Sequence, residues 1–119
     1  MGNSSHYKKL IVWQKSMDLV TYIYRLTQMF PKEEIYGLTS QMRRSAISIP
    51  SNIAEGSRRV NKKDTRHFLI ISFGSGAELE TQIEIAERLG FCKSSELIKA
   101  KDLLDEVMKM LNKMVFSNV

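Results

Sequence analysis

The stretch YGLTSQMRRSAISIPSNIAEG, residues 36–56, decides the fold of this chain. Its apolar side chains Met42, Ala46, Ile49 and Ile53 recur at spacings of three and four residues, the period of an α-helix with one buried face. Pro50 stands inside this helix, where a proline removes one backbone hydrogen bond and crowds the preceding turn. The pattern therefore predicts a helix that is kinked at its proline.

The polar side of the same helix predicts a structural network. Arg44 and Glu55 are eleven residues apart, about three helical turns, so they share one side of the helix. We interpret them as members of a buried network that fixes the helix register, because buried charges persist when they are paired. A ligand-binding or catalytic carboxylate is the alternative interpretation. The predicted network comprises Arg44, Ser48, Ser51, Asn52, Glu55 and, from the third helix, Glu78.

Three further helices are predicted from similar patterns. An apolar stripe marks the first helix, formed by Trp13, Met17, Val20, Tyr24 and Thr27 and widened by Leu19, Ile23, Leu26 and Phe30. The predicted helices span, in order, residues 12–29, 38–58, 62–89 and 95–115. Asn61 and Gly90 stand where an N-cap and a C-terminal glycine are expected, and Pro31 follows the first helix. No strand pattern is present, so four helices with short links predict an all-α, antiparallel up-down-up-down four-helix bundle with a Pro-kinked second helix.

Small residues interrupt the middle of the third helix. Glycine is unfavourable inside a helix, so we expect another helix to approach closely there. The small residues are Ser72, Gly74, Ser75 and Gly76. The expected partner is the small face of the second helix, formed by Ser45, Ser48 and Asn52.

Length and composition predict one soluble domain. The chain has 119 residues, which suits a single core at residues 7–119, after a tail at residues 1–6 that we expect to be disordered. No apolar run approaches the ~18 residues of a membrane span, and no signal peptide is recognisable. A single cysteine, Cys92, fits a reducing compartment. We therefore expect a cytoplasmic location and no contact with a membrane.

The net charge of +5 is concentrated in one window. Between Arg43 and Arg66 there are seven basic and two acidic residues, so this window carries the whole excess. A localised basic stripe indicates a polyanionic partner such as RNA or DNA. Few aromatic residues lie nearby in the sequence, which favours contacts with the nucleic-acid backbone over base stacking; a solvated basic corner is the alternative. The candidate contact residues are Arg43, Arg58, Arg59, Lys62, Lys63 and Arg66.

No catalytic or metal-binding motif is recognisable. A di-metal bundle needs a Glu-x-x-His motif from two helices, whereas His67 follows Asp64 in a single Asp-x-x-His and the other histidine is His6. Cys92 and the serines stand in no nucleophile motif. We therefore expect a protein that is not an enzyme and that holds no metal or cofactor.

Several strings together resemble the 23S rRNA-intervening-sequence proteins, also called bacterial four helix bundle proteins. They are VWQ at 12–14, FPKE at 30–33, YGLTSQ at 36–41, Arg43-Arg44, SIPSNIAEG at 48–56, Gly74-Ser75 and ELETQ at 78–82. The resemblance covers about residues 7–115, with Asp64 where the family pattern has Glu. It implies four-helix bundles that assemble into homopentameric rings, some of them encoded within insertions in large-subunit ribosomal RNA genes.

The fold also resembles the accessory protein of diversity-generating retroelements, which implies a basic pentameric barrel that binds nucleic acid and a reverse transcriptase. Residues and resemblance together predict an oligomeric protein that binds RNA or another nucleic acid through its basic stripe. The alternative is an interaction scaffold or accessory subunit that recruits a protein partner, such as a reverse transcriptase-like enzyme.

Overall fold

A computed structural model describes residues 2–116, with side chains from His6 onward. Four α-helices make up most of it: α1 (Ile11–Thr27), α2 (Leu38–Ser57), α3 (Lys62–Leu89) and α4 (Ser94–Phe116). Two 3-10 helices, Gly2–Lys9 and Lys32–Glu34, precede α1 and α2. No strand occurs in the described part of the chain. The disorder expected for residues 1–6 stays a prediction, and Met1 lies outside the described residues.

The helices are arranged in sequence order around one core, each packed against two neighbours. Two contacts show the antiparallel course: the Tyr22 hydroxyl, late in α1, donates to the carbonyl of Glu96, early in α4, at 2.9 Å, and Phe30 packs on Phe91. The predicted all-α bundle is confirmed. α2 continues through Pro50 without interruption, and Pro50 is itself buried; the kink stays a prediction.

The helix ends follow the sequence signals closely. Asn61 caps α3, its Oδ1 accepting from the backbone N–H of Asp64 at 2.8 Å. Gly90 ends the helix in the left-handed region at φ 68°, which glycine adopts without steric cost. α1 ends at Thr27, before Pro31. The two signals of α3 thus place the α2–α3 turn at one end of the bundle and the α3–α4 turn at the other.

α1 buries one side of the predicted stripe: Leu19, Ile23 and Leu26 are buried as expected, and so is Thr27. Met17 and Tyr24 are more than a third exposed. The side chains that α1 buries are Val12, Ser16, Leu19, Ile23, Leu26 and Thr27. These side chains face the core, and the rings of Trp13 and Tyr24 lie at the edges of the buried face. An indole N–H or a phenol hydroxyl needs a hydrogen-bond partner when it is buried, whereas an aliphatic side chain does not.

Hydroxyl groups join α2 closely to α3, as predicted from the small residues. The Ser75 hydroxyl donates to Ser48 Oγ at 2.7 Å, and the buried Ser72 hydroxyl donates to the Ile49 carbonyl at 2.9 Å. Gly74 and Gly76, the other two small residues of α3, do not face α2 as expected. A Cβ on Gly76 would overlap the Met108 sulfur of α4, whereas one on Gly74 would meet no atom within 4 Å.

Candidate nucleic-acid interface

One end of the bundle is strongly basic. The start of α1, the end of α2, the start of α3 and the end of α4 all meet there. We call residues 6–12, 55–66 and 110–116 the basic end. Its acidic residues are Glu55 and Asp64 only. Its basic residues are Lys8, Lys9, Arg58, Arg59, Lys62, Lys63, Arg66 and Lys113.

The other end of the bundle carries no such excess. Residues 28–38 and 84–99 form it, with four basic and five acidic side chains. These are Lys32, Arg88, Lys93 and Lys99 against Glu33, Glu34, Glu84, Glu87 and Glu96. Charge is therefore segregated along the bundle axis, and the field at the basic end favours an anionic partner.

Close contacts between α2 and α3 hold the turn that joins them. The Thr65 hydroxyl donates to the Gly56 carbonyl at 2.9 Å, and a Cβ on Gly56 would lie 3.1 Å from Phe68 Cβ and from the Thr65 carbonyl oxygen. Val60 at the tip of the turn is fully exposed. The turn thus presents its basic side chains from a fixed backbone.

Arg58 and Arg59 lie over aromatic rings. The Arg59 guanidinium is 4.6 Å from the centroid of the Phe68 ring and pairs with Glu55. The Arg58 guanidinium lies 5.8 Å from the centroid of the Tyr7 ring. Such cation–π contacts favour one orientation of each guanidinium, and a guanidinium can donate to phosphate oxygens through several N–H groups.

Lys62 and Lys63 occupy the first turn of α3, and both are exposed. Cations are unfavourable at a helix N-terminus by about 0.3–1 kcal/mol each. No hydrogen bond or ion pair to either ammonium group occurs among the described residues. The charges of Lys62 and Lys63 therefore do not stabilise α3.

Two predicted contact residues also have structural contacts. Arg66 donates from Nε to the Val115 carbonyl at 2.9 Å and so joins α3 to α4 at the basic end. Arg43 instead lies against α1, donating to Thr27 Oγ1 at 2.9 Å with its guanidinium 4.5 Å from the Tyr24 ring centroid. It is fifteen residues before Arg58, about 22 Å along the helix. The structure does not bring Arg43 to the basic end.

The six residues of the predicted polar network are not brought together. Arg44 and Glu55 are both exposed, and about 16 Å of helix separates them. Glu55 pairs instead with Arg59, four residues further on, because that spacing places the two side chains side by side. Only Ser48 and Asn52 remain joined: Asn52 Nδ2 donates to the Ser48 carbonyl at 2.9 Å and to Ser48 Oγ at 3.0 Å.

The other network members line two different surfaces. Ser51 lies on the α1 side of α2. Arg44 and Glu78 line, together with Ser48, a polar groove of about 500 Å³ between α2 and α3. Tyr36, 94% exposed, stands at this groove, and Gln82 Oε1 in its wall is buried without a hydrogen-bond partner among the described residues.

Titratable groups with shifted pKa values lie near the opposite end. Burial, followed by the charge of Glu96, raises the pKa of the Cys92 thiol. Burial likewise raises the pKa of Tyr22. A thiol with a raised pKa is a poor nucleophile at neutral pH. In the described part of the chain, no three His, Cys, Asp or Glu side chains lie close enough together to hold a metal ion.

Sequence reasoning missed the contribution of the N-terminal segment to the basic end. The 3-10 helix Gly2–Lys9 packs on α1 and α2, which places Tyr7 beside Arg58 and adds Lys8 and Lys9 to the same end. Lys113 arrives there from α4. No local signal identifies these residues, because their proximity arises from tertiary packing.

The fold and its charge distribution define a class: a single helical bundle with one basic end. None of the described helices combines the length and apolar character needed to cross a bilayer. The chain belongs to the 23S rRNA-intervening sequence protein family, whose model matches residues 8–113.

A solved structure with the same fold is the crystal structure of a protein of unknown function from the S23 ribosomal protein family of Bacteroides thetaiotaomicron. It superposes with a TM-score of 0.81 at 21% sequence identity, covering 89% of this chain and 99% of that one. At this identity the similarity shows the fold alone. Comparison with curated proteins finds no match.

Proposed function

We propose that this protein is a non-enzymatic RNA-binding bundle that contacts phosphates through its basic end. The segregation of charge carries the proposal, since eight basic side chains stand against two acidic ones at that end. Arg and Lys side chains that neutralise phosphates release condensed counterions, which supplies affinity without sequence preference. The contact residues are Arg58, Arg59, Lys62, Lys63 and Arg66.

The placement of Lys62 and Lys63 supports this function over a solvated basic corner. Both stand where the helix dipole disfavours cations, without an ion-pair partner among the described residues. A bound phosphate at this helix N-terminus would meet both the dipole and the two ammonium groups. Function therefore accounts for two charges that folding does not need.

We further propose that the protein works as a homo-oligomer, a pentamer by its family resemblance. α3 has an exposed face of apolar and small side chains: Ile70, Gly74, Ala77, Thr81 and Ile85. Gly74 has no close neighbour within the chain, so nothing described explains a glycine that costs its helix about 1 kcal/mol. Close approach by a second copy would explain it. A ring would multiply weak phosphate contacts by avidity.

Fluorescence anisotropy tests the binding function. Labelled structured RNA, single-stranded RNA and duplex DNA are titrated at several salt concentrations. We expect binding whose logarithmic affinity falls linearly with log salt, by about 0.9 per phosphate contacted on duplex DNA. Absence of binding to all three at low salt would contradict the proposal.

The polar groove between α2 and α3 favours a second candidate, a scaffold for a protein partner. Arg44 in its wall and the exposed ring of Tyr36 are kinds of side chain that are enriched in protein interfaces. A defined protein recovered by pull-down after nuclease treatment, and lost with Arg44→Glu, would support it. Recovery unaffected by that change would place any partner elsewhere.

A further inference from the structure

An apolar groove of about 340 Å³ lies between α1 and α2, next to the basic end. Small-molecule pockets span roughly 300–1,000 Å³, so this one suits a single planar ring and not a large ligand. Eight residues line it: Tyr7, Trp13, Met17, Val20, Ile47, Pro50, Ser51 and Ala54.

Aromatic rings form one corner of this groove. Tyr7 and Trp13 are 5.4 Å apart between ring centroids, with their planes at 67°. In such an edge-to-face pair the two rings are not stacked, so neither ring covers the other face to face. Met17 and Ile47 on the rim are 38% and 41% exposed, so apolar surface stays open to solvent. Nucleobases stack on surfaces of this kind, because every base has a π-face.

The groove adjoins the proposed phosphate site directly. The Arg58 guanidinium lies 5.8 Å from the Tyr7 ring centroid. Ala54 in the groove wall precedes Arg58 by four residues, one turn or about 6 Å of helix. A strand whose phosphates contact the α2–α3 turn therefore has a base within reach of the groove. The positive charge of the basic end complements the phosphates of such a strand, which is why we take a nucleic-acid strand as the occupant of the groove.

We propose that the groove takes one unpaired nucleobase of an RNA strand whose phosphates lie on the basic end. Only an unpaired base can enter, since the bases of a duplex are stacked and paired. The inference rests on the proposed RNA-binding function and adds a preference for single-stranded or looped RNA. It also revises the expectation of backbone contacts alone, because folding brings Tyr7 and Trp13 to Arg58 from outside the basic window.

Trp13 provides a direct probe because it is the single tryptophan of the chain. Its fluorescence is recorded during titration with a single-stranded RNA, an RNA of equal length with abasic sites, and a duplex RNA. We expect the intact single strand to quench Trp13 and to bind roughly 10-fold more tightly than the abasic strand. The abasic strand and the duplex bind through phosphates without quenching. A single-stranded DNA of the same sequence shows whether the ribose is also recognised. Equal quenching by DNA and RNA would indicate recognition of the base alone, and weaker quenching by DNA would indicate recognition of base and ribose; both results support the inference.

Ser51→Leu fills the groove without changing a charge, and Ser95→Leu, at an exposed position of α4, is the matched control. We expect Ser51→Leu to reduce single-strand affinity about 10-fold, to the level of the abasic strand, and to leave the salt dependence and duplex binding unchanged. The control should bind as the unmodified protein does.

Three outcomes would overturn the inference. If intact and abasic strands bind equally and neither quenches Trp13, the groove takes no base, while the proposed RNA-binding function stands. If Ser51→Leu changes the native mass but not base-dependent binding, the groove is a contact between copies. If no nucleic acid binds, the proposed function fails and the inference fails with it.

Discussion

Arg66, in the first turns of α3, donates from Nε to the backbone carbonyl of Val115, near the end of α4, at 2.9 Å. This contact joins two helix ends at the basic end. It also places a cation beside carbonyl groups at a helix C-terminus, where positive charge is favourable. Arg66 therefore belongs both to the fold and to the proposed phosphate-binding surface.

Arg66→Lys separates these two roles. Lysine keeps the charge but loses the directed Nε bond, so we expect the free energy of unfolding to fall by about 1 kcal/mol. RNA affinity should stay within about 2-fold, because an ammonium group also neutralises phosphate. Urea denaturation and anisotropy measure the two effects. Equal stability of the two proteins would show that the bond to Val115 contributes nothing.

Gly56→Ala tests the close approach of α2 and α3 at their turn. The new Cβ would stand 3.1 Å from the Thr65 carbonyl oxygen, a backbone atom that cannot move without shifting α3. We expect the free energy of unfolding to fall by about 1–2 kcal/mol despite the better helix propensity of alanine. Ser57→Ala, at an exposed neighbour, should stay within about 0.5 kcal/mol. A stabilised Gly56→Ala protein would contradict this packing.

Gly74→Leu tests the proposed oligomer. The side chain has space within one chain, so we expect an intact bundle with unchanged or higher helix stability. The bulk should prevent close approach by a second copy and reduce the native mass, measured by native mass spectrometry or light scattering. Ser95→Leu is the matched control. An oligomer that survives Gly74→Leu would place the contact on another face.

The raised pKa values of Cys92 and Tyr22 predict a loss of stability at alkaline pH. Each group is neutral when protonated, and burial raises its pKa in the folded state, so folding favours the protonated form. The contribution of the thiol is complete below its unfolded pKa, about 8.5, and is lost as the pH rises above that value, whereas the contribution of the phenol is lost only above about pH 10. Denaturation curves between about pH 7 and 10 measure the contribution of the thiol. Cys92→Ala should weaken the decline, and an identical decline in both proteins would exclude the thiol as a cause.

The sequence predicted the helices because their signals are local. Asn61 and Gly90 bound α3 at the expected residues, since caps depend on a few neighbouring backbone groups. Ser48 and Ser75 were also expected to meet, because mid-helix serines and glycines indicate close helix contacts.

Contacts between distant segments could not be predicted in this way. The sequence does not distinguish Arg43 from Arg58, since both are basic residues of the same window. In the structure Arg43 lies over the ring of Tyr24, and Arg58 lies over the ring of Tyr7. Which ring each arginine meets depends on how α1 and the N-terminal segment pack on α2. The predicted pairing of Arg44 with Glu55 was wrong for a simpler reason. Two residues that share a helix face but lie three turns apart are too distant to be in contact.

The proposed binding of phosphates at the basic end depends on Lys62 and Lys63, so the double change Lys62→Glu with Lys63→Glu tests it. Glutamate is favourable in the first turn of a helix, so this double change should not lower stability. Its control is Lys32→Glu with Lys93→Glu, which makes the same change in charge at exposed positions of the opposite end.

The measurement is the slope of log affinity against log salt for one RNA with all three proteins. We expect the Lys62/Lys63 variant to lose at least 10-fold in affinity and to show a slope shallower by about 1.4, which corresponds to two single-strand phosphates at about 0.7 each. The control should keep the slope of the unmodified protein. Equal slopes and equal affinities for the two variants would contradict the claim, because binding would then follow net charge and not the basic end.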